Sequence, residues 1–488
     1  MPINLLKGRE IMGVKADKYK KLVLNTFILG IGVFASKLLV FLMMPIYTGI
    51  LSPAEYSTAD LISQTANLLM PLACVGITDG VFRFAMDKED SRRGVLSTGL
   101  AILLISGGLF ALLSPLIGLV EYFSNYVWLI AAYVLFADIH AMFAQYVRAC
   151  NKTGLFAIQG IINTALVIGL NIVFLIVFDM GVLGYVLSVV VSDALVTVFI
   201  FFAGKLHKDI RFSAIKKDIA VQLLKYSIPM IPATIFWWIT SVSDRYMVTY
   251  FSGDTENGLY SAAYKIPTAL TLVSSVFMEA WQYSAVSDTD AANERVSGES
   301  SDFFSSVFSH YQSIVYVGGS MMIALSQILM MLLCADSYFE GWRYVPTLTL
   351  AAVFSGFASF AGSVYLVKKK SILTFLTSMS GALINIALNF LLIPKMGAQG
   401  AAIATFASYA VVFAIRAVNA RRYVKFSLSP VRMSTSLVVL FAQTALILLF
   451  DKYLVIGQAV CFSVIAFINM KPFVRGTIKM LKNRRVKK

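Results

Sequence analysis

The sequence predicts an all-α polytopic membrane protein of about fourteen transmembrane helices, and three observations lead there. Hydrophobic residues make up 58% of the 488 residues and charged residues only 14%, whereas soluble domains are about 45–50% apolar and about 25% charged. The apolar residues come in unbroken runs: residues 28–44 contain one charge and 156–178 none. About 20 such residues cross a bilayer core, and only a helix satisfies every backbone group along the way. Finally, Lys and Arg number 41 against 26 Asp and Glu, a formal charge of +15, and the cations gather between alternate runs. This balance excludes a disordered chain, a disulfide-stapled secreted domain and most soluble enzymes.

Reading apolar stretches between charges, Pro and Gly gives spans at 22–44, 58–82, 95–119, 126–147, 155–178, 181–203, 226–251, 260–285, 311–334, 344–367, 371–393, 398–418, 433–450 and 453–470. The last two are shorter and share a turn at Asp451-Lys452. The basic stretch before the first run mimics a signal peptide. That run is too long for an h-region and lacks a small-residue cleavage site, so it reads as a retained helix. With the N-terminus in the cytoplasm, thirty-five of the 41 cations fall on the cytoplasmic side, Arg416 among them in the twelfth-to-thirteenth loop. Arg343, Lys395 and Lys452 fall outside. This is the positive-inside pattern, with both termini cytoplasmic. The 287–302 loop is acidic against that trend. All external loops are short.

Cys74, Cys150, Cys334 and Cys461 are scattered and read as small buried hydrophobes. His140, His207 and His310 have no metal-ligand spacing. Neither metal nor cofactor is expected, and the charge excess is a topology signal rather than a nucleic-acid footprint. The absence of a Walker A pattern argues against ATP hydrolysis by this chain.

The two halves repeat. Gly181-Val-Leu-Gly184 and Gly397-Ala-Gln-Gly400 each occupy a tight turn after an Asn-bearing span, with Asn163 and Asn171 in the first half and Asn385 and Asn389 in the second. Six spans separate the copies, and an even number preserves orientation, so the repeat is parallel about the membrane normal. The expected organisation is a 1–21 N-tail, a six-helix lobe at 22–203, a cytoplasmic linker at 204–225, a second six-helix lobe at 226–418, a linker with two extra helices at 419–470, and a basic 471–488 tail.

Asn25-Thr26, Ser36-Lys37, Pro45-Ile-Tyr47, Leu51-Ser-Pro-Ala-Glu-Tyr56, Gly76-Ile, Arg83-Phe, Asp244-Arg245 and Gly258-Leu-Tyr-Ser-Ala-Ala-Tyr-Lys265 follow one another along the chain. In order and spacing they resemble polysaccharide-biosynthesis flippases of the Wzx type, whose superfamily also holds the multidrug (MATE) exporters and the lipid II flippase. The resemblance implies two lobes forming a V around a central cavity. It also implies transport of an undecaprenyl-pyrophosphate-linked oligosaccharide from the inner to the outer leaflet of a bacterial cytoplasmic membrane. Membrane lipids, and glycosyltransferases or a polymerase of the same pathway, are the expected partners.

Such a substrate needs cations for its phosphates. Charges inside a bilayer are costly and usually face a cavity or a partner. The span-borne cations are Lys37, Arg245 and Lys265. Lys37 and Arg245 are expected to face each other across the lobe interface, with Asp244 able to neutralise Arg245 locally and Lys265 able to snorkel from a span end. Arg83 and Arg148, at cytoplasmic span ends, are anchors or contacts at the inner mouth. Asp60, Asp138, Asp193 and Glu279 lie within spans without a local basic partner, and Glu279 is the preferred coupling carboxylate. Pro45, Pro71, Pro229, Pro232 and Pro267 suggest kinks in spans one, two, seven and eight.

Two other readings stay open. A cation-coupled drug exporter of the same fold would need a carboxylate-rich pocket rather than cations. A membrane glycosyltransferase or polymerase would need a soluble catalytic loop or a paired-carboxylate metal motif, for which the acidic 287–302 stretch is the one available place.

Overall fold

A computed structural model describes residues 41, 43–87, 92–292, 297–368, 370–450 and 455–470. Among the described residues the chain is helical and without strands. Among these residues, eight helices are long and apolar enough to cross a membrane, or ten if each of two bent pairs is one span. The chain is a multi-pass membrane protein. Each predicted span from the second to the fourteenth has a helical counterpart, while most of the first lies outside the described residues.

The helices are α1 (Met44–Ile50), α2 (Pro53–Ala73), α3 (Ile77–Asp87), α4 (Arg92–Leu113), α5 (Val127–Ala149), α6 (Thr153–Asn171), α7 (Gly181–Ala203), α8 (Lys217–Ser227), α9 (Ile231–Ser252), α10 (Asp254–Ala292), α11 (Ser297–Ala324), α12 (Ser326–Leu333), α13 (Val345–Val367), α14 (Ser371–Ala420), α15 (Pro430–Leu449) and α16 (Val455–Met470). α14 is two helices joined at Gly397, whose φ of 56° and ψ of −142° lie outside helical space. Only glycine adopts such a conformation without strain. Gly181 at the start of α7 has a φ of 53°, so each half uses the same device. The second glycine of each motif also has one purpose. A Cβ on Gly184 would meet the Phe174 backbone at 3.2 Å, and one on Gly400 the Leu392 backbone at 2.6 Å.

Two compact units form. One holds Ala59–Ile235 and the described residues before Tyr47; the other holds Tyr47–Thr58 and the described residues from Phe236 on. In the first, Ile77, Val81, Leu96, Met142, Tyr146, Val147, Ile200 and Leu223 build a continuous core. α2 and α3 are bent by 58° at Val75 and Gly76, both with positive φ. Pro71 lies one turn earlier, and its carbonyl accepts the Gly76 N–H at 3.0 Å. Pro229 and Pro232 lie where α8 runs through the 3-10 turn Ile228–Met230 into the first turn of α9. The second large bend, 69° between α11 and α12, has no proline at its Leu325 joint.

The stretch after α7 packs on the first unit. Asp209 accepts from Arg93 Nε at 3.3 Å and Tyr146 Oη at 3.2 Å. Ser97 Oγ accepts the Arg211 N–H at 3.0 Å, and Thr98 Oγ1 that of Lys216 at 3.2 Å. The linker is therefore structured, including the amphipathic α8 whose Leu223 is buried.

In the second unit Phe308, Tyr311, Phe357, Phe360 and Phe426 interlock edge to face and face to face. The two extra C-terminal helices are held to α11 by buried polar pairs. Ser320 Oγ donates to Gln443 at 2.7 Å, and Ser313 Oγ to the Asn469 carbonyl at 2.8 Å. Interhelical bonds of this kind replace the hydrophobic effect, which cannot join helices within lipid. The described parts of the acidic 287–302 stretch are helical: α10 continues to Ala292 and α11 begins at Ser297.

Arg416 departs from the loop position expected for it. It lies within α14 at 8% exposure, donating to Thr377 Oγ1 at 2.9 Å, the Ala358 carbonyl at 3.1 Å and Ser378 Oγ at 2.8 Å. Counting cations into loops misplaced a residue that pins α13 to both arms of α14.

Candidate functional site

Among the sequence-derived candidates, Lys37 lies outside the described residues, as does the Glu279 side chain. The expected Lys37–Arg245 pairing therefore also lies outside them. Arg83 is exposed on α3. Arg148 is exposed at the end of α5, with its guanidinium 5.1 Å from the Phe82 ring centre and 5.4 Å from that of Phe156.

The second unit gathers the remaining candidates. α9 carries Asp244 and Arg245, which diverge by about 100° around the helix. α10 supplies Tyr260 and Tyr264, one turn apart on one face. Tyr260 Oη donates to Asp244 Oδ2 at 2.6 Å, Thr405 Oγ1 donates to the same oxygen at 3.4 Å, and the Arg245 backbone N–H reaches Oδ1 at 3.0 Å. Asn385 Nδ2 donates to Thr405 Oγ1 at 3.3 Å, and Asn389 Nδ2 to Asn385 Oδ1 at 3.0 Å. A buried carboxylate would otherwise be expensive, and three donors with an adjacent guanidinium offset that cost. The paired asparagines read from the repeat thus belong to the Asp244 cluster.

Arg245 is 5% exposed, and its guanidinium lies 5.2 Å from the Tyr264 ring centre. That tyrosine also lines a small cavity of about 60 Å³ with Thr268, Ser355 and Tyr409. In this conformation the guanidinium is backed by Tyr264 rather than presented at a surface. Lys265 is half-buried and about three turns inside α10, because the helix begins at Asp254.

The first unit holds a buried network that the sequence did not reveal. His140 Nδ1 is 2.9 Å from Asp193 Oδ1, and its Nε2 is 2.8 Å from Gln159 Oε1. Asn163 Nδ2 donates to Asp193 Oδ1 at 3.0 Å, Thr197 Oγ1 to the Asp193 carbonyl at 2.6 Å, and Ser192 Oγ to the Asn163 carbonyl at 3.0 Å. Asp193 thus has the basic partner it lacked on paper, and His140 has a role that a search for metal spacing passed over. Nearby positions in sequence could not signal this, since α5 and α7 bring the two together across 53 residues. His140→Ala should lower unfolding free energy by about 3 kcal/mol, because it strands a buried carboxylate. His140→Ala with Asp193→Asn should recover part of that loss, measured by thermal unfolding in detergent.

Asp138 is buried beside Cys74 at the α2–α3 break, and its Oδ2 has no hydrogen-bond partner. With Asp79 it lines a cavity of about 220 Å³. No group of three His, Cys, Asp or Glu among the described residues is placed to hold a metal ion.

A multi-pass chain with buried charge clusters in each of two helical units matches known proteins on both sequence and fold. Residues 22–281 match the profile of the family described as polysaccharide biosynthesis protein. The chain belongs to that family. A search among curated proteins returns no match to this sequence. Among solved structures, this chain is similar to the lipid II flippase MurJ in an inward closed conformation, with TM-score 0.71 and 15% identity over 93% of this chain and 100% of that one. It is also similar to an inward-facing multidrug resistance MATE transporter of the MOP superfamily, with TM-score 0.66 and 14% identity over 79% and 95%. A MOP superfamily transporter from Pyrococcus furiosus, described as having a binding pocket of reverse polarity, gives TM-score 0.58 and 14% identity over 81% and 94%. At these identities the likeness is one of fold. It places the chain in a MATE-like architecture.

Proposed function

We propose that this protein is a flippase that carries a lipid-linked oligosaccharide, on an undecaprenyl pyrophosphate carrier, from the inner to the outer leaflet by alternating access. The observation that carries this reading is membership of the polysaccharide biosynthesis family over 22–281, which spans the chain's first half and the start of its second. A fold shared over nearly the whole chain with a protein named a lipid II flippase supports it. The basic chemistry is consistent: Arg245 and Lys265 sit within helices of the second unit, and Lys37 is a further cation in the first predicted span. The protein would act as a transporter rather than an enzyme, in a bacterial cytoplasmic membrane with both termini cytoplasmic. An inside-negative potential favours outward movement of an anionic headgroup by about 2.3 kcal/mol per charge per 100 mV. Turnover then needs no nucleotide site.

The test is reconstitution in liposomes with undecaprenyl-pyrophosphate oligosaccharide, following movement between leaflets with and without an inside-negative potential. Movement should require the protein and accelerate with the potential. Lys37→Ala should slow it about tenfold, as loss of one charge-assisted phosphate contact implies. Normal leaflet exchange in Lys37→Ala would remove that residue from the site. No protein-dependent exchange in wild type would remove the flippase reading.

A further inference from the structure

The second unit also contains a cleft that the Asp244–Arg245 cluster does not use. It lies between α10 and α13 above α11 and encloses about 280 Å³. Its lining carries six hydroxyl side chains, Thr271, Ser274 and Ser275 from α10, Tyr311 from α11, and Ser355 and Ser359 from α13, together with Met278 and Gly356 and no charged side chain. Ser275 and Ser359 are exposed at the rim. Tyr311 and Ser274 form the floor at 0% and 7% exposure.

The hydrogen bonds divide these hydroxyls into two sets. Thr271 Oγ1 donates to the Thr268 carbonyl at 2.7 Å, and Ser275 Oγ to the Leu272 carbonyl at 2.8 Å. Their protons are committed to the helix, so towards the cleft they offer acceptor oxygens. The floor hydroxyls of Tyr311 and Ser274 lie against each other and have no other hydrogen-bond partner. A hydroxyl has one donor and two acceptor sites, so a pair engaged only with each other keeps unused capacity, and this floor suits a ligand or water that can pair with it. The Tyr311 ring is held in place by stacking on Phe277 at 4.8 Å and Phe360 at 5.7 Å, which fixes where its hydroxyl points. Gly356 keeps the floor open, since a Cβ there would come within 2.6 Å of Tyr311 Oη.

The complement to such a wall is a neutral group that both donates and accepts hydrogen bonds on several sides. A phosphate would find no cation, a metal ion no carboxylate, and a hydrocarbon tail would leave the hydroxyls dry. At about 30 Å³ per water, the cleft has room for several waters or for one sugar ring in their place. We propose that this cleft is a carbohydrate subsite that seats one sugar unit of the transported headgroup. The proposal rests on the flippase reading and adds to it a place where the sugar is recognised separately from the pyrophosphate.

The experiment measures binding by the full-length protein in nanodiscs to two probes, undecaprenyl pyrophosphate bearing the oligosaccharide and bare undecaprenyl pyrophosphate. Tyr311→Phe with Ser274→Ala removes both floor hydroxyls and keeps the ring stack. It should weaken the sugar-bearing probe about tenfold and leave the bare carrier unchanged, as expected when a ligand's hydroxyls lose paired partners. Gly356→Ala should act in the same direction by filling the floor; if it fails to fold, the double variant decides. Unchanged affinity for the sugar-bearing probe, or equal weakening of both probes, would overturn the subsite. Wild-type protein that binds neither probe above a phosphatidylglycerol control would remove the flippase reading and the subsite with it, an outcome distinct from either.

Discussion

Gly258→Ala is expected to destabilise the second unit by about 3 kcal/mol or more, far beyond a typical single-methyl change. A Cβ at Gly258 would fall within contact distance of the Pro53 carbonyl and 2.9 Å from its Cα. Backbone meets backbone there, so no flexible side chain can yield. The methyl would lever Tyr47–Thr58 away from its partners. Asn257 Nδ2 donates to Ser57 Oγ at 2.8 Å, Tyr338 Oη to the Leu51 carbonyl at 2.9 Å, and the Ala335 N–H to Thr48 Oγ1 at 3.0 Å. Gly49→Ala is the control. Nothing lies within 4 Å of its Cβ position, and an exposed helical glycine replaced by alanine should gain up to about 1 kcal/mol. Thermal unfolding in detergent, with the folded fraction read by size exclusion, checks the pair. Equal melting temperatures for the two variants would show that the Pro53–Gly258 approach is not a tight constraint.

The second large effect is expected at the Asp244–Arg245 pair. Arg245→Ala should cost about 3–5 kcal/mol, because Asp244 would be left buried without its neighbouring cation. That alone would reduce export, so the single variant cannot separate structure from transport. Asp244→Asn with Arg245→Gln removes both charges together and should restore most of the folded yield. If Arg245 also engages substrate phosphate, export should stay at least about tenfold below wild type in the double variant, the loss of a charge-assisted bond worth about 1.5–3 kcal/mol. Surface polysaccharide and accumulated lipid-linked oligosaccharide are the readouts. Wild-type export by the double variant would make Arg245 a structural residue only. Tyr264 packs against the guanidinium, so under the flippase reading Tyr264→Ala should alter export without stranding a charge.

Much of the fold was legible because a bilayer leaves little choice. Long apolar runs must be helices, and Gly181 and Gly397 could be matched from sequence because their backbone angles exclude other residues. The α2–α3 break was not legible. Val75 adopts a φ of 53°, which no reading of a β-branched residue would suggest, and the nearby Pro71 accounts for only part of it. Arg416 was assigned to a loop because charge counting assumes that cations avoid the bundle interior, whereas three neutral oxygens solvate it there. The candidate site was readable as a set of residues but not as an arrangement. Arg245 and Asp244 stood out by charge, but which way each side chain turns depends on Tyr260, Tyr264 and Thr405, all distant in sequence. His140 and Asp193 are each visible in the sequence, but nothing in it joins them. The hydroxyl cleft left no sequence signal, since serine and threonine in a membrane helix most often bond only to their own backbone.

The assignment of Tyr47–Thr58 to the second unit has a topological consequence. The chain passes from one unit to the other three times, between Ile46 and Tyr47, between Thr58 and Ala59, and between Ile235 and Phe236. A simple tandem of lobes would be joined by a single thread, and severing its linker would leave two independent bodies. Here a nick near Arg211 leaves a first-half fragment that still carries an integral piece of the second unit. The halves are inherited as a repeat but built as interleaved parts, and neither can be excised whole by cutting at the linker.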